Sequence, residues 1–232
     1  MSSISSLKTR ILVWDAPTRV FHWLLAASFA GAYLTSESER FRDIHLLLGY
    51  TLLGLIGFRV VWGLVGTRYA RFRSFAFGPG QVLAYLRSLL TVAPKHYVGH
   101  NPAGSWAIYL ILGLGLLCGV TGYASEADIG GELMKEMHES VAAGMLTVVV
   151  VHVCGVIASS LLHRENLARS MINGYKLGPA AQDIRRAWWP VAIAICAVVA
   201  GLWGGVIPAP GLSDPARVSQ LQHSRDHTTE RR

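Results

Sequence analysis

Four histidines in apolar surroundings are the residues of this chain whose type and spacing could do chemistry: His22, His45, His138 and His152. His138 and His152 are read as lying in one apolar helix, fourteen residues apart. At about 1.5 Å per residue that spacing is roughly 21 Å along a helix axis. At about 100° per residue it falls about 40° short of four full turns, so both imidazoles leave the same face. His22 and His45 stand near the starts of the first two apolar stretches. Ionisable side chains in a hydrocarbon core are costly and usually serve a function. Two same-face histidines at two depths, each with a possible partner at its own depth, predict two stacked cofactors.

The elements that must position them are membrane helices. The chain has 232 residues, 52% hydrophobic and only 15% charged, with a mean hydropathy of +0.38. Soluble domains carry nearer about 25% charged residues. Five stretches have the roughly 17–25 residues needed to span a bilayer: Thr18–Ser36, Ile44–Gly66, Ser105–Ala124, Ser140–Leu162 and Trp188–Ile207. The first follows Lys8 and Arg10, but no small-residue cleavage site follows Leu34, so it reads as a retained helix rather than a signal peptide. Segment 79–90 begins with Pro79, has helical apolar spacing, and is expected to lie along the membrane surface. The expected fold is an all-α membrane protein, a four-helix transmembrane haem-binding bundle plus a fifth C-terminal transmembrane helix. Its domains are expected at 1–177 (the bundle), 178–207 (the added helix) and 208–232 (a short disordered periplasmic tail containing His223 and His227).

Charge orients the bundle. Lys8, Arg10 and Arg19 precede or open the first span. Arg68, Arg71, Arg73, Arg87 and Lys95 lie between the second and third with no acid between Thr67 and Ala103, and Arg164, Arg169, Lys176, Arg185 and Arg186 follow the fourth. The loop 125–139 instead holds Glu126, Asp128, Glu132, Glu136 and Glu139 against Lys135 alone. The positive-inside rule puts the N-terminus in the cytoplasm and the acidic loop and C-terminus in the periplasm. The net charge of +7 is then a topological signal, and scattered loop charges without a stacking platform exclude a nucleic-acid partner. Cys118, Cys154 and Cys196 all fall within spans, with no C-x-x-C-H for covalent haem attachment and no paired zinc-type cysteines.

With that orientation the same-depth pairs are His45 with His138 on the outer side and His22 with His152 on the inner side. Two imidazoles facing each other across a bundle suit a planar macrocycle with axial iron ligands. Zinc would want further ligands, and no nearby carboxylate completes such a set. The alternative for His45 or His138 alone is an interfacial helix cap. Gly49 lies one turn after His45, and Gly144 and Gly155 flank the fourth span, where gaps could admit a porphyrin or simply allow close helix contact. Arg59 is fourteen residues after His45, on a similar face at the inner level. It could pair a haem propionate or snorkel to the interface.

The stretch Val13-Trp14-Asp15-Ala16-Pro17-Thr18-Arg19-Val20-Phe21-His22-Trp23 resembles the opening of the bacterial cytochrome b561 family, which includes the cytochrome b subunit of membrane-bound nickel-iron hydrogenases. So do Ile44-His45 with Gly49-Tyr50, Arg59-x-x-Trp62-Gly63 followed by Ala70-Arg71-Phe72, and Gly99-His100-Asn101-Pro102-Ala103-Gly104. Thr121-Gly122, His138-Glu139, His152 and Leu162-His163-Arg164-Glu165-Asn166-Leu167 continue the likeness in order over about residues 11–177. The resemblance implies two non-covalent haem b groups with bis-histidine ligation (His45/His138 outer, His22/His152 inner), Arg19, Arg59 and Gly49 beside them, and no catalytic residue of the protein's own. It implies electron transfer in a bacterial inner membrane between quinone or quinol and a periplasmic redox protein, a c-type cytochrome or a hydrogenase or dehydrogenase subunit. A self-sufficient quinol oxidoreductase acting on a small oxidant, or a metal or proton transporter using the same histidines, are the competing expectations. His100 is a candidate quinone or propionate contact. His163 suits a helix C-terminus electrostatically. The acidic loop 125–139 is expected to steer a basic partner towards the outer haem.

Overall fold

The computed structural model describes residues 9–91 and 94–212; His223 and His227 lie outside them. Helix α1 (Ala16–Thr35) starts at Asp15, whose carboxylate accepts the Thr18 N–H at 2.8 Å, with Pro17 in the first turn. A side-chain acceptor before a proline is a strong helix start, because it satisfies a backbone donor the helix leaves open. Helix α2 (Arg42–Val65) follows a short turn of 3₁₀ helix. Helix α3 (Pro79–Ser88) forms within the segment 79–90 expected to be helical, and packs against α4 (Pro102–Glu126). Asn101 caps α4 by accepting the Gly104 N–H at 2.7 Å.

Helix α5 (Gly131–His163) has 33 residues and begins well before the apolar stretch that suggested it, so His138 sits inside it in its third turn. Gly130, at φ 82°, provides the left-handed turn that lets the acidic loop reverse into it. A short α6 (Leu167–Asn173) and helix α7 (Trp189–Trp203) complete the helices.

Among the described residues, three segments are long and apolar enough to cross a membrane: Glu39–Val65, α4 and α5. Five were expected. Helix α1 has 20 residues but carries Thr18, Arg19 and His22 among its apolar ones. Helix α7 is strongly apolar, yet its 15 residues reach only about 22 Å at 1.5 Å each. Both nevertheless join the bundle: α1 packs against α2 and α7, α4 against α5, and α2 against α4. The interior between them is filled by Phe21, Leu25, Phe29, Leu52, Leu55, Ile56, Leu112, Met145 and Ile195. Val150, Val151, Val153, Ile157 and Leu161 of α5 point outward, as a lipid-facing helix requires.

One feature of the backbone was not expected from the all-α pattern. Strands β1 (Thr9–Leu12) and β2 (Tyr175–Gly178) form an antiparallel pair with Ile11 opposite Lys176. Val13 and Trp14 extend it by donating to the Gly174 carbonyl. Each strand is only four residues long, and neither has a partner nearby in sequence, so no local signal announces them. The pair clamps the chain before α1 to the chain after α6, at the end of the bundle that carries the basic loops. At the opposite, acidic end, Arg42 pairs with Glu126. Tyr50 there donates to the Pro210 carbonyl at 2.9 Å, and Trp203 to Thr51 at 3.0 Å. The chain after α7 is thus held against the acidic end as far as residue 212.

Candidate functional site

The two expected histidine pairs occupy opposite ends of the bundle. At the acidic end His45 of α2 faces His138 of α5, with ring centroids 6.1 Å apart and ring planes at 83°. His45 Nδ1 lies 2.9 Å from the Ala32 carbonyl of α1, and His138 Nδ1 lies 2.9 Å from the Cys118 carbonyl of α4. A carbonyl oxygen only accepts, so both Nδ1 atoms donate and both Nε2 atoms carry the free lone pair. This is the outer-shell arrangement that fixes the tautomer of a metal-binding histidine. Two imidazoles on one metal, with metal–nitrogen bonds of about 2.0–2.1 Å, hold their ring centroids about 6 Å apart. The observed spacing fits a bis-histidine iron, and among the described residues no further His, Cys, Asp or Glu joins the pair to make a metal cluster.

At the basic end His22 of α1 and His152 of α5 are close enough for their charges to interact. A third imidazole joins them: His100, in the loop before α4, interacts with both. Its ring lies against Trp14 at 4.6 Å and Phe75 at 4.4 Å. Enclosure, reinforced by the positive charges of Arg59 and Lys176, pulls the pKa of His100 down to about 3, so it is neutral at physiological pH. Arg59 of α2 is 2% exposed, with its guanidinium over the rings of Phe72 at 4.8 Å and Phe75 at 5.8 Å. It makes no salt bridge among the described residues. Arg59 Nη1, His22 Nδ1 and His100 Nδ1 are enclosed with no hydrogen-bond partner. A buried cation that feels the charge of Asp15 but has no carboxylate in contact is expensive. With Arg19 Nε and Arg71 Nε, five buried nitrogens at this end lack a hydrogen-bond partner among the described residues, and such a surplus of donors fits a group that brings acceptors and negative charge, as the propionates of a haem do.

Of the other expected residues, Arg19 donates from Nη1 to the Ile172 carbonyl at 2.6 Å and lies over Trp189 at 5.1 Å, tying α1 to the chain around β2 and α7. A Cβ placed on Gly49 would meet nothing within 4 Å, so there is open space one turn from His45. His163 ends α5 beside His96, with ring centroids 5.2 Å apart. In the acidic loop, Glu126 is committed to Arg42, and Glu132 lies 3.8 Å from Lys135 on the surface.

Two residues that position the site were not singled out from the sequence. A Cβ on Gly122 would come within 2.9 Å of the His138 ring, so this glycine is what lets the imidazole lie against α4 and reach the Cys118 carbonyl. The Thr121-Gly122 pair carried the signal, but nothing in spacing tied it to His138. Asp15, 1% exposed, accepts from Thr18 N, Trp62 Nε1 and Thr67 Oγ1 and so locks the start of α1, and His22 with it, to the end of α2. A shallow apolar groove of about 530 Å³ opens on the flank of α4 at the same end, lined by Ala76, Phe77, Gly78, Trp106, Tyr109 and Leu110. Tyr109 packs on Phe75, which in turn covers His100.

The family model of prokaryotic cytochrome b561 matches residues 13–174. A probable Ni/Fe-hydrogenase B-type cytochrome subunit of Azotobacter vinelandii is 27% identical over 218 residues, covering 73% of this chain and 90% of the relative. Its counterpart in Rhizobium leguminosarum bv. viciae is 28% identical over 218 residues, covering 75% and 91%. A probable Ni/Fe-hydrogenase 1 B-type cytochrome subunit of Escherichia coli K12 is 24% identical over 213 residues, covering 71% and 89%. No solved structure matches.

Proposed function

The chain belongs to the prokaryotic cytochrome b561 family, and on that footing we propose that it carries electrons across the membrane through two b-type haems, between the quinone pool and a redox partner protein. His45 and His138 would hold the haem at the acidic end, and His22 and His152 the haem at the basic end. The observation that carries the reading is the His45–His138 pair: rings 6.1 Å apart, both Nδ1 atoms donated to backbone carbonyls of neighbouring helices. When bound, haem supplies the one-electron iron chemistry. The protein fixes the imidazoles, shields them with apolar side chains and sets the local charge. Arg59 would stabilise negative charge at the basic end, whether of a propionate or of the added electron.

The positive-inside rule supports a cytoplasmic basic end and a periplasmic acidic end in a bacterial inner membrane. Helix α1 would then cross as a fourth span and α7 as a short fifth. The relatives are named as hydrogenase cytochrome subunits, which supports a hydrogenase or similar subunit docking at the acidic end. Asp128, Glu136 and Glu139 remain there to attract it, Glu126 being taken by Arg42. The apolar groove at Phe77, Trp106 and Tyr109 has the size of a ligand pocket and opens sideways, which suits a quinone arriving from lipid.

The test is a visible spectrum and haem count of the purified protein, acid–acetone extraction, then quinol titration. Two extractable low-spin b-type haems per chain are expected, at least one of them reduced by quinol. One haem or none per fully loaded chain overturns the two-haem reading.

A further inference from the structure

The basic end holds a group of titratable side chains that the haem pairs do not use. Lys176 of β2 has a side chain only 2% exposed, with Nζ 3.3 Å from Glu165 Oε2. It also donates to the Tyr97 carbonyl at 3.4 Å. The same carboxylate oxygen lies 3.1 Å from His96 Nε2, and the His96 ring meets His163 at 5.2 Å. His96 and Glu165 are partly open to solvent, at 37% and 19%. The ring of Tyr97, whose carbonyl accepts from Lys176, leans on Phe77 at 5.7 Å, and Phe77 lines the groove on the flank of α4. The groups therefore run in file from solvent, through His96, His163 and Glu165, to Lys176, and on towards that groove.

An ion pair that merely braced the β1–β2 clamp would have no use for two imidazoles at its open side. Burying a lysine and a carboxylate is also a poor way to gain stability, since apolar residues of equal volume serve as well. Burial lowers the pKa of Lys176 from the usual ammonium range while Glu165 opposes the shift, and the 3.3 Å between Nζ and Oε2 puts the two within reach of a shared proton.

We propose that His96, His163, Glu165 and Lys176 form a proton relay between the aqueous phase at the basic end and the groove at Phe77, Trp106 and Tyr109, serving quinone chemistry there. The proposal rests on the quinone reading above. Oxidation of a quinol breaks two O–H bonds and yields quinone, two electrons and two protons. The electrons would pass singly to a haem held by His22 and His152, which would supply the one-electron acceptor. Each proton enters the file as the Lys176 ammonium gives its own proton to Glu165 and the resulting amine accepts one from the groove. Glu165 then passes its proton to His96 and so to water. Quinone reduction runs the same steps backwards, taking up two electrons and two protons.

The test uses the full, haem-loaded chain and a short-chain quinol as reductant. Glu165→Gln and Lys176→Met should leave haem content, spectra and dithionite reduction unchanged. Quinol-driven haem reduction should slow about tenfold or more, in the range of general acid–base contributions, with a larger solvent isotope effect. Formate or imidazole added as a mobile proton carrier should restore part of the rate. His96→Gln, which leaves the Glu165–Lys176 pair in place, should shift the pH profile by itself and keeps the idea testable if a pair variant fails to fold. Wild-type rates and pH profiles in all three variants, or slowing that no small acid relieves, would overturn the relay alone. If wild-type haems respond to dithionite but never to quinol, the quinone reading falls and the relay with it.

Discussion

The two ends of the bundle hold their histidines in different ways. At the acidic end both imidazoles are tied by Nδ1 to backbone carbonyls of neighbouring helices, and the rings already stand at a metal-bridging distance. At the basic end, among the described residues, His22 Nδ1 has no hydrogen-bond partner, a buried arginine makes no salt bridge, and a third imidazole lies within electrostatic reach of the pair. The acidic end is oriented by the protein's own backbone. The basic end carries surplus donors and positive charge, which a bound anionic group would complete. Pre-organisation lowers the cost of binding at the first, whereas electrostatic complementarity tunes the second.

The sharpest way to break this contrast is to remove ligands. His45→Ala and His138→Ala should each abolish the acidic-end haem and spare the other. His22→Ala and His152→Ala should do the reverse, as read by low-spin resonance signals and redox titration. Loss of the same centre in His45→Ala and His152→Ala would dissolve the two-ended description.

Gly122→Val should come next in size. The new side chain collides with the His138 ring, and overpacking of this kind costs about 1–3 kcal/mol. Retention of the acidic-end haem should fall, with basic-end occupancy intact. Equal damage at both ends would mean that the glycine serves helix contact generally.

Arg59→Gln probes the other end. Removing a buried positive charge should lower the reduction potential of the basic-end haem by about 60 mV, a tenfold change in a one-electron equilibrium, while the acidic-end potential stays put. Potentials unchanged at both ends would show that Arg59 does not sense the cofactor.

His100→Phe should have the smallest effect. With a pKa of about 3 when folded against about 6.5 when unfolded, the unfolded chain binds a proton that the folded chain refuses. The stabilisation linked to neutral His100 is therefore complete above pH about 6.5 and fades as pH falls towards 3. Phenylalanine keeps an aromatic ring between Trp14 and Phe75, so detergent-solubilised variant and wild type should unfold alike near neutrality. The variant should be the less acid-sensitive below it, and parallel acid profiles would rule His100 out as the group responsible.

What could be read along the chain was whatever repeats locally. Apolar run length located α2, α4 and α5, because a hydrocarbon core demands about twenty consecutive apolar residues whatever their neighbours. The fourteen-residue spacing of His138 and His152 placed both on one face, because helical geometry is periodic. Apolar run length put the first and third spans at Thr18 and Ser105, and the structure starts those helices a few residues earlier, at Ala16 and Pro102, where Asp15 and Asn101 cap them. Tertiary structure alone decided the rest. It decided that Gly122 receives the His138 ring, that Ala32 and Cys118 supply the carbonyls, that β1 meets β2 across more than 160 residues, and that His96, Glu165 and Lys176 converge. These contacts join segments whose separation carries no periodic signal, and short-range hydrogen bonds form only after helix packing has brought their partners to within about 3 Å.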